Sequence, residues 1–257
     1  MQNFNVTLVQ ESIVWQDPDA NRDKFSALIE QHGNNSDLIV FPEMFTTGYS
    51  QESAKLAETM DGPTVMWMRQ QAAQANAVVA GSIVIQDGDR IVNRLLWVQP
   101  DGEIHHYDKR HLFSFAGEQH TFDAGSERKI IEYRGWRFCL QVCYDLRFPV
   151  WSRNVDNYDV LLYVASWPQS RIDHWSQLLK ARAIENLAYV VGVNRTGADG
   201  NGYIHNGQSA VIDPKGKLLL EPGDSAGCFR TVLDYAAMTS YRKKFGALQD
   251  RDRFVIE

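Results

Sequence analysis

The chain has 257 residues, 44% of them apolar, which is enough to enclose a continuous core. Its 26 basic and 32 acidic residues are interspersed and leave a formal charge of -6, so it carries no electrostatic footprint for nucleic acid or an anionic membrane. No apolar stretch approaches the roughly 18 residues of a membrane span, and the start MQNFNVTLVQ lacks the parts of a secretory signal, so a cytoplasmic location is expected.

In chain order, a strand-like run at Val6 to Gln10 is followed by a well-marked helix. Asp17 can cap it, Pro18 suits its first turn, Phe25, Leu28 and Ile29 form an apolar stripe, and Gly33 can stop it. Further strand-like runs occur at Leu38 to Phe41, Val78 to Ile85, Ile91 to Val98, Trp136 to Val142, Val160 to Ala165 and Tyr189 to Asn194. A second helix is predicted from about Ile172 to Asn186, with Trp175, Leu178 and Leu179 on one face. QPDG (99–102) and DPKG (213–216) read as hairpin turns, so part of the sheet structure is antiparallel. From Asp234 onward the chain reads as one helix and a tail. This alternation predicts a layered α/β fold with mixed sheets, and the absence of a linker, a low-complexity tract or a repeat predicts a single domain over 1–257.

Three cysteines make an odd count. Cys139 and Cys143 share one predicted strand, where a rise of about 3.3 Å per residue sets them about 13 Å apart, beyond the reach of a disulfide. A reduced compartment fits, and Cys143 is left as a free thiol. The glycine-bearing loop GADGNG (197–202) is expected near the functional site but matches no phosphate-binding fingerprint, and GxGxxG, P-loop and HExxH patterns are missing.

Three polar residues directly follow apolar strands: Glu43 in DLIVFPEMF, Lys109 in HHYDKRHLF and Cys143 in LQVCYDLRF. Ligands gather at strand ends in sheets covered by helices, so the three placements point to a site together more than singly. A thiol with a pKa near 8.5 needs a base or a positive field to act as a nucleophile at neutral pH. A carboxylate can be that base, and a lysine ammonium favours both the thiolate and a later oxyanion. The backbone N–H of Tyr144, just past the thiol, would be a second oxyanion donor. Each residue also has an ordinary reading. A lone cysteine at a strand end is usually core, a lone lysine is usually a solvated charge, and Glu43 after Pro42 is placed to cap a turn. Asp145 and Arg147 read as an ion pair fixing the turn.

Taken together, FPEMF, DKRHLF, VCYDLRFP, ASWP (165–168), ARAIENLAYVVGVNRTG (181–197) and VIDPKG (211–216) resemble the carbon-nitrogen hydrolases of the nitrilase superfamily over nearly the whole chain. The resemblance implies a four-layer αββα sandwich, often paired into a homodimer or higher homo-oligomer. It implies a catalytic set of Cys143, Glu43 and Lys109, with Glu118 in FAGEQHTF as a second glutamate that orders its loop and helps protonate the leaving amine. No metal or organic cofactor is implied. VWQDPDANRDKF, FPEMFTTGYS, YDKRHLFSFAGE, VCYDLRFPVWSRN and ASWPQSRIDHW are most similar to bacterial ω-amidases of the Nit2-like branch. The substrate expected from that likeness is a small-molecule amide, the terminal amide of α-ketoglutaramate or α-ketosuccinamate. Arg171 or Arg195 would meet its distal carboxylate, and Tyr49 and Trp167 would line the pocket, with surface charge and core packing as the respective alternatives. Deaminated glutathione amidase, nitrilase and N-carbamoyl amino acid amidohydrolase activities are rival readings, and a non-catalytic metabolite-binding protein is a further one.

Overall fold

The computed structural model describes residues 2–256. Its first sheet takes in turn β1 (Phe4–Gln10), β2 (Leu38–Val40), β3 (Val78–Asp87), β4 (Arg90–Val98) and β5 (Ile104–Asp108). Four strands of the second sheet follow: β6 (Lys129–Tyr133), β7 (Trp136–Val142), β8 (Val160–Ala165) and β9 (Tyr189–Asn194). After a short ribbon of β10 (Thr196–Ala198) and β11 (Ile204–Asn206) come β12 (Ala210–Ile212) and β13 (Leu218–Leu220), and β14 (Gly227–Leu233) returns to the first sheet. The strand orders are β14-β1-β2-β3-β4-β5 and β13-β12-β9-β8-β7-β6. Within them β1, β2 and β3 are parallel, as are β7, β8 and β9, while the outer pairings are antiparallel.

Five helices complete the fold among the described residues: α1 (Pro18–His32), α2 (Pro63–Ala75), α3 (Pro149–Ser152), α4 (Ile172–Asn186) and α5 (Tyr235–Lys244). Side chains alternate across a strand, so the central strands bury one set of residues between the sheets and the other beneath helices. Val6, Leu8, Leu38 and Val40 of the first sheet share a core with Phe138, Leu140, Leu162 and Val191 of the second. On the far face of the first sheet, Val9, Ile39 and Val79 meet Phe25 and Ile29 of α1 and Met68 of α2. On the far face of the second, Leu161, Tyr163 and Val190 meet Trp175, Leu179 and Ala183 of α4. The result is the four-layer αββα sandwich. Strands covered on both faces read as unbroken apolar runs, which is why segments such as DLIVF stood out in the sequence.

All seven strand-like runs are strands, with β2 ending at Val40 rather than Phe41 and β3 continuing to Asp87. QPDG and DPKG close the β4–β5 and β12–β13 hairpins. The helix α2 is an addition to the sequence reading, although Pro63 at its start and Val65, Met68 and Ala72 on its buried face carry the usual signals. Asp234 caps α5 by accepting the Ala237 N–H. No helix among the described residues is long and apolar enough to cross a membrane.

Candidate active site

The chain leaves β2 at Val40 and delivers Glu43 between the two sheets. The next residue, Met44, has φ +47°, a left-handed conformation that costs a non-glycine residue roughly 1–3 kcal/mol and needs external support. Its N–H donates to Ser82 Oγ on β3 at 2.9 Å. The fully buried Glu43 carboxylate accepts from Asn93 Nδ2 at 2.8 Å, Lys109 Nζ at 2.9 Å and the Ser166 N–H at 2.9 Å. Ser166 follows β8 in the opposite sheet, and the Glu43 N–H donates back to Ala165 O at 3.4 Å. Glu43 therefore stitches the two sheets together.

Lys109 leaves the end of β5 with its backbone fixed on both sides. Its N–H donates to Asn93 O at 3.0 Å, and its carbonyl accepts from the Gly125 N–H at 2.9 Å. Gly125 permits that approach, because a Cβ there would lie 2.2 Å from Asp108 O. The Lys109 ammonium lies 2.9 Å from Glu43 Oε1 and 3.0 and 2.9 Å from the two oxygens of Glu118, with the Tyr49 ring 5.3 Å away. Glu118, in the 3-10 turn Glu118–His120, is fully buried and also accepts the Phe113 N–H. It stands behind Lys109 and outside the cavity lining, rather than in an exposed loop.

Cys143 follows β7 at the mouth of a 3-10 turn, Cys143–Arg147, and its own φ is +45°. The expected Asp145–Arg147 ion pair is not formed. Asp145 turns inward, where its carboxylate accepts from the Val142 N–H, Tyr107 Oη and both the N–H and Nδ1 of His111. Arg147 turns outward, lies over the Trp167 ring at 4.9 Å and donates to His174 Nδ1 at 3.0 Å. Neighbours in sequence diverge because they occupy opposite faces of a short turn.

The electrostatics follow from this enclosure. Burial pushes the Cys143 thiol well above the ordinary range, and the charge and hydrogen bond of Glu43 add to that, against the opposing pull of Lys109 and the Ser166 N–H. Burial alone would lower the Lys109 ammonium, but Glu118 and Glu43 outweigh it and hold the group well above its usual value. Burial, followed by the charge of Glu43, raises Glu118 despite Lys109. The arrangement thus holds a protonated thiol, a fixed ammonium and a carboxylate able to accept the thiol's proton, all in one enclosed space.

That space opens into a cavity of about 430 Å³. Glu43, Lys109 and Cys143 line it, together with Tyr49, Tyr144, Trp167 and Arg171. Arg171 lies over the rings of Phe113 and Phe115, at 5.3 and 5.9 Å. Asp199 and Asn201, from the glycine-bearing loop, are also on the wall. Arg195 is not. It is fully buried behind the lining, where its side chain donates to Thr196 O and Ala198 O, and burial lowers its guanidinium to about 10. The ribbon after β9 curls back and takes up the side chain with its own carbonyls. Asn93 and Ser166 belong to the site and went unassigned in the sequence, and Arg147, read there as the ion-pair partner of Asp145, lines the cavity. Asn93 had a legible signal, as one of two polar residues, with Arg94, within the apolar run IVNRLLWV. Among the described residues, no group of three or more His, Cys, Asp or Glu side chains is disposed to hold a metal ion.

The carbon-nitrogen hydrolase family model matches residues 5–243. The omega-amidase YafV of Yersinia enterocolitica is 47% identical, with all of both chains covered. The 2-oxoglutaramate amidase of Bacillus subtilis is 32% identical, covering 96% of this chain and 97% of its own. Among solved structures, XC1258 of Xanthomonas campestris superposes with a TM-score of 0.98 at 46% identity over the full length of both chains, and is described as a CN-hydrolase superfamily protein with an arsenic adduct in its active site.

Proposed function

The chain belongs to the carbon-nitrogen hydrolase family, and from that premise we propose that its cavity hydrolyses the terminal amide of a small keto-dicarboxylate monoamide, such as α-ketoglutaramate or α-ketosuccinamate, to the acid and ammonia. The observation that carries this reading is the Lys109 ammonium, bonded to Glu43 and Glu118 and lining the same cavity as the Cys143 thiol. The likeness to an omega-amidase and to a 2-oxoglutaramate amidase supports the substrate class.

In the proposed reaction the thiol is protonated at rest, so attack requires its proton to leave. Glu43 takes it as the sulfur bonds to the amide carbon. The carbonyl oxygen becomes an oxyanion, stabilised by the Lys109 ammonium and the Tyr144 N–H. The C–N bond then breaks, the nitrogen takes the proton from Glu43, and ammonia departs to leave a thioester. Glu43 next accepts a proton from water as its oxygen attacks the thioester. The tetrahedral adduct collapses, the proton returns to sulfur, and the carboxylic acid is released. Glu118 acts through Lys109, keeping the ammonium charged and fixed. The net change is amide plus water to acid plus ammonia.

Specificity in this reading lies with the cations of the outer wall. Arg171 and Arg147 each lie on aromatic rings, and among the described residues neither has a carboxylate within salt-bridge distance. Arg171 keeps the role expected for it, Arg147 joins it, and the buried Arg195 is withdrawn. Both guanidiniums suit a substrate carboxylate. The test is ammonia release from α-ketoglutaramate and α-ketosuccinamate beside deaminated glutathione, a simple nitrile and an N-carbamoyl amino acid. Turnover of the keto acid amides is expected, and turnover of the nitrile alone would overturn the proposal. Pairing of two copies, as the family resemblance implies, is part of the same reading and is measured by sedimentation.

A further inference from the structure

Asp145 is fully buried and takes no direct part in the reaction just described. Its carboxylate nevertheless accepts four hydrogen bonds: Tyr107 Oη at 2.7 Å, the His111 N–H at 2.9 Å, His111 Nδ1 at 2.8 Å and the Val142 N–H at 2.9 Å. Tyr107 and His111 lie two residues either side of Lys109. Val142 immediately precedes Cys143. One carboxylate therefore grips both flanks of the lysine segment, which comes from the first sheet, and the base of the cysteine turn, which comes from the second. The grip is itself braced, since Tyr107 Oη accepts from Trp151 Nε1 at 3.0 Å and the Arg110 N–H at 3.2 Å. The His111 ring stacks on Phe148 with centroids 3.7 Å apart.

Two features argue that this linkage serves the chemistry rather than packing alone. A buried carboxylate is costly to desolvate, and an apolar side chain would fill the same volume at less cost, but only an acceptor of this valence joins four donors from two segments. The backbone it holds also includes the left-handed Cys143, which persists only where its surroundings over-determine it. The structure assigns Asp145 the role of a positioning residue, which keeps the Cys143 thiol and the Lys109 ammonium in register through Val142 and the Tyr107–His111 segment. This rests on the amidase reading for its kinetic test, though not for its chemical one.

Asp145→Asn keeps the shape but turns one acceptor into a donor facing donors. With α-ketoglutaramate, kcat is expected to fall by about 10²-fold, the cost of a displacement near 1 Å, while KM stays within about twofold. Tyr107→Phe removes one of the four bonds and should lower kcat severalfold, again with KM held; it carries the kinetic test should the asparagine variant fail to fold. In the absence of substrate, iodoacetamide alkylation of Cys143, read by mass spectrometry against Cys228 as internal reference, should slow in both variants. A wild-type kcat in folded Asp145→Asn, a loss confined to KM, or an unchanged alkylation rate at Cys143 would each overturn the assignment. A wild-type protein that hydrolyses none of the amides defeats the proposed function instead, and leaves the alkylation comparison to decide the role of Asp145.

Discussion

The inner and outer walls of the cavity are built on opposite plans. On the inner wall, Glu43 and Lys109 are at most 1% exposed and bonded to each other, with Glu118 holding Lys109 from behind the lining, so their charges are balanced within the protein. On the outer wall, Arg147 and Arg171 lie over aromatic rings and, among the described residues, form no salt bridge, so their charge is available. A saturated wall is suited to doing the same chemistry on any amide that reaches it. An unsaturated wall is suited to choosing which amide that is.

Substitutions separate the two. The largest effect is expected at the thiol: Cys143→Ala should abolish ammonia release while circular dichroism and the thermal midpoint stay close to wild type, since a single sulfur is lost. Residual turnover would place the nucleophile elsewhere. Next, Lys109→Met should lower kcat by about 10²–10³-fold, the scale of losing one oxyanion donor. It should also destabilise the fold, because Glu43 and Glu118 are then buried without their cation. Near-normal kcat would leave the inner wall without its electrostatic purpose. Smaller and different in kind, Arg171→Gln should cost about tenfold in kcat/KM for α-ketoglutaramate, one charge-assisted contact, and nothing for the uncharged pentanamide. An equal loss on both substrates would erase the distinction between the walls.

The smallest effect is on stability at alkaline pH. Burial raises the folded Cys143 thiol well above its reference value of 9.0, so the folded chain keeps a proton that the unfolded chain releases. The stability linked to this group is complete below 9.0 and is lost as pH rises from there through the folded value. Denaturant midpoints measured across that range should decline less steeply in Cys143→Ala than in wild type. Parallel declines would show that the thiol is not held in its neutral form.

Much of this was legible in the sequence, for identifiable reasons. Strands covered on both faces are long apolar runs, so Glu43 and Cys143 stood out as polar residues at their ends, whereas Lys109 follows the polar edge strand β5 and was legible through the motif DKRHLF. Other features depend on where side chains point once the sheets are packed, and local sequence does not set that. Asp145 and Arg147, two residues apart, look like an ion pair, yet three of the four hydrogen bonds to Asp145 come from 34 to 38 residues away. Arg171 and Arg195 are equivalent as letters, and only the curl of the ribbon after β9 separates a wall residue from a buried one. Glu118 reads as a loop residue because its depth comes from its bonds to Lys109 and the Phe113 N–H.

The stitch between Glu43 and Ser166 has a consequence for how the protein gains its reactivity. In the proposed reaction the base arrives with one sheet and the sulfur with the other, so a half-assembled chain holds neither a primed nucleophile nor a shelter for a thioester. During refolding, recovery of amide cleavage should lag behind recovery of strand content and coincide with the closing of the two sheets. The newborn polypeptide would remain chemically silent until that final docking.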